Sequence, residues 1–238
     1  MATENKKELI ESIMENFEDW LILPVIKEFD SVNTIDFPNL CKLVFKHNAF
    51  IAGGFARDLA TNSNQAEDID IFFTKQEDFD KLLEDFHGSP ISYQGRVHRS
   101  SRAITFKKAY CGKDVQLIKP RGTELKKFDT PKKVLEDFDY TVCMFALVGE
   151  NKVLTIRKAI YDYSNMFLRL QRVTNPYAAI MRAFKYAKKG YKINNLMLSH
   201  IFMAFENLTD EQKELILEKV IMLDVALGAK ELYEILEL

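Results

Sequence analysis

The segment from residue 48 to residue 73 limits the fold most tightly. Asn48-Ala49-Phe50-Ile51-Ala52 is a short apolar run ending in Gly53-Gly54, and paired glycines after a strand mark a turn in backbone conformations that other residues seldom adopt. A short helix is expected from Phe55 to Leu59, with Arg57-Asp58 following the turn. Ten residues on, Glu67-Asp68-Ile69-Asp70-Ile71 opens a β-rich run to Phe73. Residues i and i+2 of a strand point the same way, so Asp68 and Asp70 leave one face as neighbouring carboxylates. Two such anions repel unless a cation lies between them.

The rest of the chain alternates first and then becomes helical. Residues 4 to 22 place Leu9, Ile10, Ile13, Met14, Phe17, Trp20 and Leu21 at helical spacing ahead of Pro24. A helix is expected over Asp78 to Phe86, and strands over Ala103 to Lys107 and Val115 to Ile118, with Gly112 between them. Thr130-Pro131 opens a helix to about Asp137. Tyr140 to Val148 and Val153 to Ile156 read as a hairpin, and beyond it only helices are expected, over 175–189, 196–205, 210–223 and 229–236. The expected class is α+β: a small mixed-sheet head over 1–156 and an all-helical neck and C-terminal region over 157–238.

No apolar run approaches the roughly 20 residues that cross a bilayer, and the start is amphipathic rather than secretory, so a cytoplasmic location is expected. Cys41, Cys111 and Cys143 form no C-x-x-C, and the four histidines form no helical pair, which argues against a disulfide framework or structural zinc. The net charge of −2 conceals a segregation. Residues 96–133 hold twelve Lys/Arg against three acids, residues 157–192 hold nine against Asp162 alone, and the remainder therefore carries −19. Folded onto one side, the two basic stretches would make a surface for a polyanion. The rings among them, Tyr161, Tyr163, Phe167, Tyr177, Phe184, Tyr186 and Tyr191, could stack on bases, though most read better as core faces of helices.

Magnesium suits the Asp68/Asp70 pair, since it binds through one or two carboxylates plus substrate phosphates. Gly53-Gly54 lets backbone approach a phosphate at a helix N-terminus, and Arg57 adds a positive charge for a triphosphate. The order of these parts, strand, Gly-Gly, helix with Arg-Asp, strand with D-x-D, resembles the nucleotidyltransferases of the polymerase β superfamily, and within it the head and neck of bacterial CCA-adding enzymes and poly(A) polymerases. Asp139-Tyr140-Thr141-Val142-Cys143-Met144-Phe145-Ala146 is similar to that family's R-R-D-F-T-I-N-A block. Arg182-Ala183-Phe184-Lys185-Tyr186-Ala187, with Gly190-Tyr191, is similar to its R-A-x-R-F-A…G-F neck helix. The likeness runs from about residue 48 to 192.

The resemblance implies magnesium-dependent transfer of a nucleoside monophosphate from an NTP to a hydroxyl, first of all an RNA 3′ end such as that of a tRNA. It implies Asp68 and Asp70 as catalytic ligands of two magnesium ions with Arg57 beside them, and Gly53, Gly54, Arg57, Asp58, Asp139, Arg182 and Lys185 as nucleotide-binding residues. The chain departs from the family at Asp137 and Phe138, where it has two arginines, at Cys143, where it has asparagine, and at Gln116, where a third carboxylate is expected; Asp114 would then assist the pair. No E-D-x-x-R, the element that selects C and A, follows residue 192. Two other readings keep the fold: transfer to a protein or small-molecule hydroxyl, as in toxin-like members, and an inactive nucleotide- or RNA-binding module.

Overall fold

The structure, a computed structural model, describes residues 19–26, 37–88, 96–100, 102–110, 112–120, 130–214 and 216. Its frame is one sheet of eight strands: β1 (Trp20–Pro24), β2 (Ala49–Ala52), β3 (Asp68–Phe73), β4 (Val97–Arg99), β5 (Ala103–Tyr110), β6 (Lys113–Ile118), β7 (Phe145–Gly149) and β8 (Lys152–Ile156), in the order β1-β8-β7-β2-β3-β6-β5-β4. Every pairing is antiparallel except β3 with β6. The sheet is therefore mixed, with β2 and β3 at its centre.

The principal helices among the described residues are α1 (Phe37–Lys46), α2 (Gly54–Thr61), α3 (Gln76–Gly88), α4 (Pro131–Glu136), α5 (Arg157–Ser164), α6 (Pro176–Lys188) and α7 (Asn195–Glu206). Thr130 caps α4, Asn175 caps α6 and Asn194 caps α7, each side chain accepting from the amide three residues on, which satisfies a donor the helix itself leaves open. Phe37, Leu40, Cys41 and Val44 of α1, Phe55 and Leu59 of α2, and Phe79, Leu82 and Phe86 of α3 join Ile51, Ile69, Ile71 and Leu147 of the sheet in the main core. A second core gathers Tyr140, Val142, Leu168, Ala179, Ala183, Tyr191, Met197 and Ile201. The two interleave along the chain, since Tyr140 and Val142 belong to the second and Ala159 to the first.

The α+β class expected from the sequence is the class observed, and the element expectations need two corrections. Trp20–Pro24 is a strand paired with β8, not the end of a helix; an apolar run of this length fits either period, and the edge of β8 supplies the partner that decides it. Residues 4–18 of that expected helix, and most of the two C-terminal ones, lie outside the described residues. The segment before β7 is also not strand. Thr141–Cys143 is a 3-10 turn, held by Thr141 donating to Asp162 Oδ2 at 2.6 Å and Tyr140 donating to the Ala179 carbonyl at 2.7 Å. Among the described residues no helix is long and apolar enough to cross a membrane.

Candidate active site

Alternation along β3 does locally what the sequence requires. Ile69, Ile71 and Phe73 are buried, whereas Asp68, Asp70 and Phe72 take the other face and are half-buried. Asp70 lies opposite Ala52, the last residue of β2, so the glycine turn begins beside it. Gly53 has φ +93° and ψ −149°, a region open essentially to glycine alone, and a Cβ there would lie 3.8 Å from Asp70 Oδ2. The Gly53 amide is spent on the Phe145 carbonyl at 2.8 Å. Its part is thus conformational, whereas the first amides of α2 have no acceptor within the helix.

The parallel register of β3 with β6 sets Gln116 opposite Asp70 and Asp114 opposite Asp68. Gln116 stands where the resemblance places a third carboxylate, and its Nε2 donates to Asp68 Oδ2 at 3.3 Å. The Asp114 carboxylate is engaged on its other side. Lys107 Nζ at 2.6 Å and the Lys108 amide at 2.9 Å hold its carboxylate, keeping it below the ordinary carboxylate range.

Burial first, and then the charge of Asp68, push the Asp70 carboxyl up to about 8 against the opposing pull of Arg182 and Lys185. Asp70 therefore favours folding most when protonated, below about pH 4, and that contribution is lost as pH rises toward 8. In chelator, the thermal midpoint is expected to fall across pH 5 to 8, and Asp70→Asn to flatten the slope; a parallel slope in the variant would contradict it. No group of three or more His, Cys, Asp or Glu that could hold a metal gathers among the described residues. A pair of carboxylates in mutual repulsion still fits magnesium, whose other ligands are water and phosphate.

Arg57 and Asp58 stand apart from what was expected of them. Arg57 is 1% exposed. Its Nη2 donates to Asp58 Oδ1 at 3.1 Å, Nη1 reaches the Val142 carbonyl at 3.5 Å, and the guanidinium lies 5.2 Å from the centroid of Tyr163. Asp58, fully buried, also accepts from Ser63 Oγ and the Ala66 amide, both at 2.7 Å. Both side chains are turned inward here, and the pair braces the loop leading to Asp68.

The cations near the carboxylates come from α6. Arg182 is half-exposed and donates to Asp139 Oδ2; Asp139 is buried, accepts from Thr174 at 3.4 Å, and serves as the anchor of this helix. One turn on, Lys185 lies 3.2 Å from Glu67, and Lys189 lies 3.0 Å from its other oxygen. Lys189 also donates to the Gln65 carbonyl at 2.8 Å, and Lys113 of β6 donates to that of Ala66. Both basic stretches thus meet at the loop before Asp68. At the positions where the resemblance expects arginines, Asp137 pairs with Arg172 at 2.5 Å and the Phe138 ring lies 5.7 Å from Phe72. Of the seven rings among the basic stretches, Tyr191 is a core residue, Tyr163 and Tyr186 are partly buried against the same core, and Tyr161 is exposed.

The sequence reading missed Gln116 as a donor to Asp68, and it missed Glu67, Lys113 and Lys189. Lys189 carried a signal, lying four residues after Lys185 on the same helical face; Lys113 carried none.

A family model described as Gabija anti-defense 2 family protein matches residues 10–165, well over half of the chain. The chain belongs to the Gabija anti-defense 2 family. A curated relative, "Gabija anti-defense 2" of Bacillus phage SPbetaL7, is 24% identical over 172 residues, covering 71% of this chain but 40% of its own length. Among solved structures, the Thermotoga maritima CCA-adding enzyme complexed with tRNA aligns with TM-score 0.55 at 18% identity, over 84% of this chain and 51% of that one. A CCA-adding enzyme in complex with ATP aligns with TM-score 0.57 at 19% identity, over 81% and 48%. The chain spans 40% of the curated relative and about half of each solved structure. At these identities the likeness shows the fold, which is that of CCA-adding nucleotidyltransferases, while membership lies in the anti-defense family.

Proposed function

We propose that this chain transfers a nucleoside monophosphate from an NTP to a hydroxyl acceptor, with an RNA 3′ end as the first acceptor. The observation that carries this reading is the Gly53 turn lying against Asp70 on the face that also bears Asp68. Asp68 and Asp70 would hold magnesium, which when bound lowers the pKa of the attacking hydroxyl and offsets charge on the departing pyrophosphate. Gln116 orients Asp68 through its amide. Arg182 and Lys185 on α6 stand close enough to act on Asp70 electrostatically and would face the phosphates, the task first expected of Arg57. Phosphoryl transfer depends mostly on positioning and charge, so a site without histidine or cysteine is chemically sufficient.

RNA is supported by the convergence of both basic stretches beside Asp68 and by the RNA-bound structural neighbour. A protein acceptor is the second reading, favoured by a family named for countering a defence system. The test supplies magnesium and each α-labelled NTP in turn, with total RNA and a protein extract as separate acceptors. Label in the RNA fraction that disappears with EDTA is the expected result. Label in protein moves the acceptor to the second reading, and label in neither removes the enzymatic one.

A further inference from the structure

Glu67, immediately before Asp68, is 62% exposed at its side chain and yet has a lysine on each carboxylate oxygen, Lys185 at 3.2 Å and Lys189 at 3.0 Å. The two lysines come from successive turns of α6 and its C-cap. Lys189 is fixed further by the Gln65 carbonyl, and Tyr191 reaches the Gln65 side chain at 3.4 Å. Two cations gripping one anion in fork fashion, at the mouth of a carboxylate pair, have the form of a phosphate-binding site with a carboxylate already in it.

We propose that Lys185 and Lys189 form a phosphate-binding pair and that Glu67 occupies it as an internal anion until a polyphosphate displaces it. This deepens the nucleotidyl-transfer reading and rests on it for the identity of the natural ligand, a nucleoside triphosphate. The exchange is energetically easy. Exposed ion pairs are weak, so releasing Glu67 costs little, while a triphosphate brings several charges to the same two ammonium groups. The displaced carboxylate swings into solvent one residue from Asp68, where it adds to the negative field that draws a divalent cation. Glu67 thereby keeps the lysines from capturing single anions and leaves them to ligands of higher charge.

The test measures tripolyphosphate binding by calorimetry at low salt without magnesium, so that no metal held by the Asp68/Asp70 pair contributes. Glu67→Gln is expected to tighten binding about three- to tenfold, the size that two released surface pairs allow. In a Lys185→Met/Lys189→Met background the same Glu67→Gln change is expected to have no effect. Unchanged or weaker binding by Glu67→Gln, equal tightening in the double-Met background, or no tripolyphosphate binding by any variant overturns the proposal. A tightening that persists without the lysines identifies a general field effect and not occupancy. Failure of labelled transfer leaves these outcomes intact, so the two readings fall separately.

Discussion

Asp70→Asn is expected to lower labelled-nucleotide transfer about a thousandfold, the loss of some 4 kcal/mol that follows when a metal-held charge stabilisation of several kcal/mol is removed. The same variant should fold at least as well as the parent in chelator near pH 8. Asp70 sits beside Asp68 with its carboxyl pushed up to about 8, so the native protein carries an electrostatic strain that an amide relieves. Lost activity with retained or raised thermal stability is a signature that general damage to the fold cannot produce. Asp68→Asn should behave alike in transfer while also changing its contact with Gln116. Undiminished transfer by either variant would remove these carboxylates from the chemistry.

The second large effect is on stability. Asp58→Asn is expected to cost about 3–5 kcal/mol in urea-induced unfolding, the range for removing one member of a buried ion pair and stranding the other. Arg57 and Asp58 are each 1% exposed at the side chain, and Arg57 Nε already lacks a hydrogen-bond partner, so the guanidinium has little to fall back on. Asp58 additionally holds Ser63 and Ala66, and an amide can accept at only one of its two terminal atoms. The loop that carries Glu67 to Asp68 should loosen with it. A cost below about 1 kcal/mol, the range of exposed pairs, would mean that solvent screens the pair and that its bracing role is misassigned. Since Arg57 is enclosed by Tyr163 and the Val142 carbonyl, its replacement should likewise appear first in stability and only secondarily in transfer.

The inward turn of Arg57 and Asp58 shows where reading from sequence ends. Both were placed beside the triphosphate because they follow the glycine turn, and their helix did form where expected, over Gly54–Thr61. Which way a short helix turns its charged side chains depends on what packs against it. Here that is Tyr163 and the 3-10 turn at 141–143, some 80 residues or more away.

What the amino-acid sequence determined alone was local: the strand, the glycine turn, the short helix, and Asp68 and Asp70 on one face of β3, because backbone geometry sets a period of two in any strand. The same holds for Arg182 and Lys185 on one side of α6, with Lys189 at its C-cap in line with them. Tertiary structure decided which partner each charge met: Asp58 for Arg57, Asp139 for Arg182, Glu67 for the two lysines, and Gln116 against Asp68. It also made Trp20–Pro24 a strand, by offering it the free edge of β8. Those choices join residues as much as 136 positions apart, Trp20 against Ile156, and nothing in a local period carries information over that distance; only the packing of the two cores and the pairing of the strands supplies it.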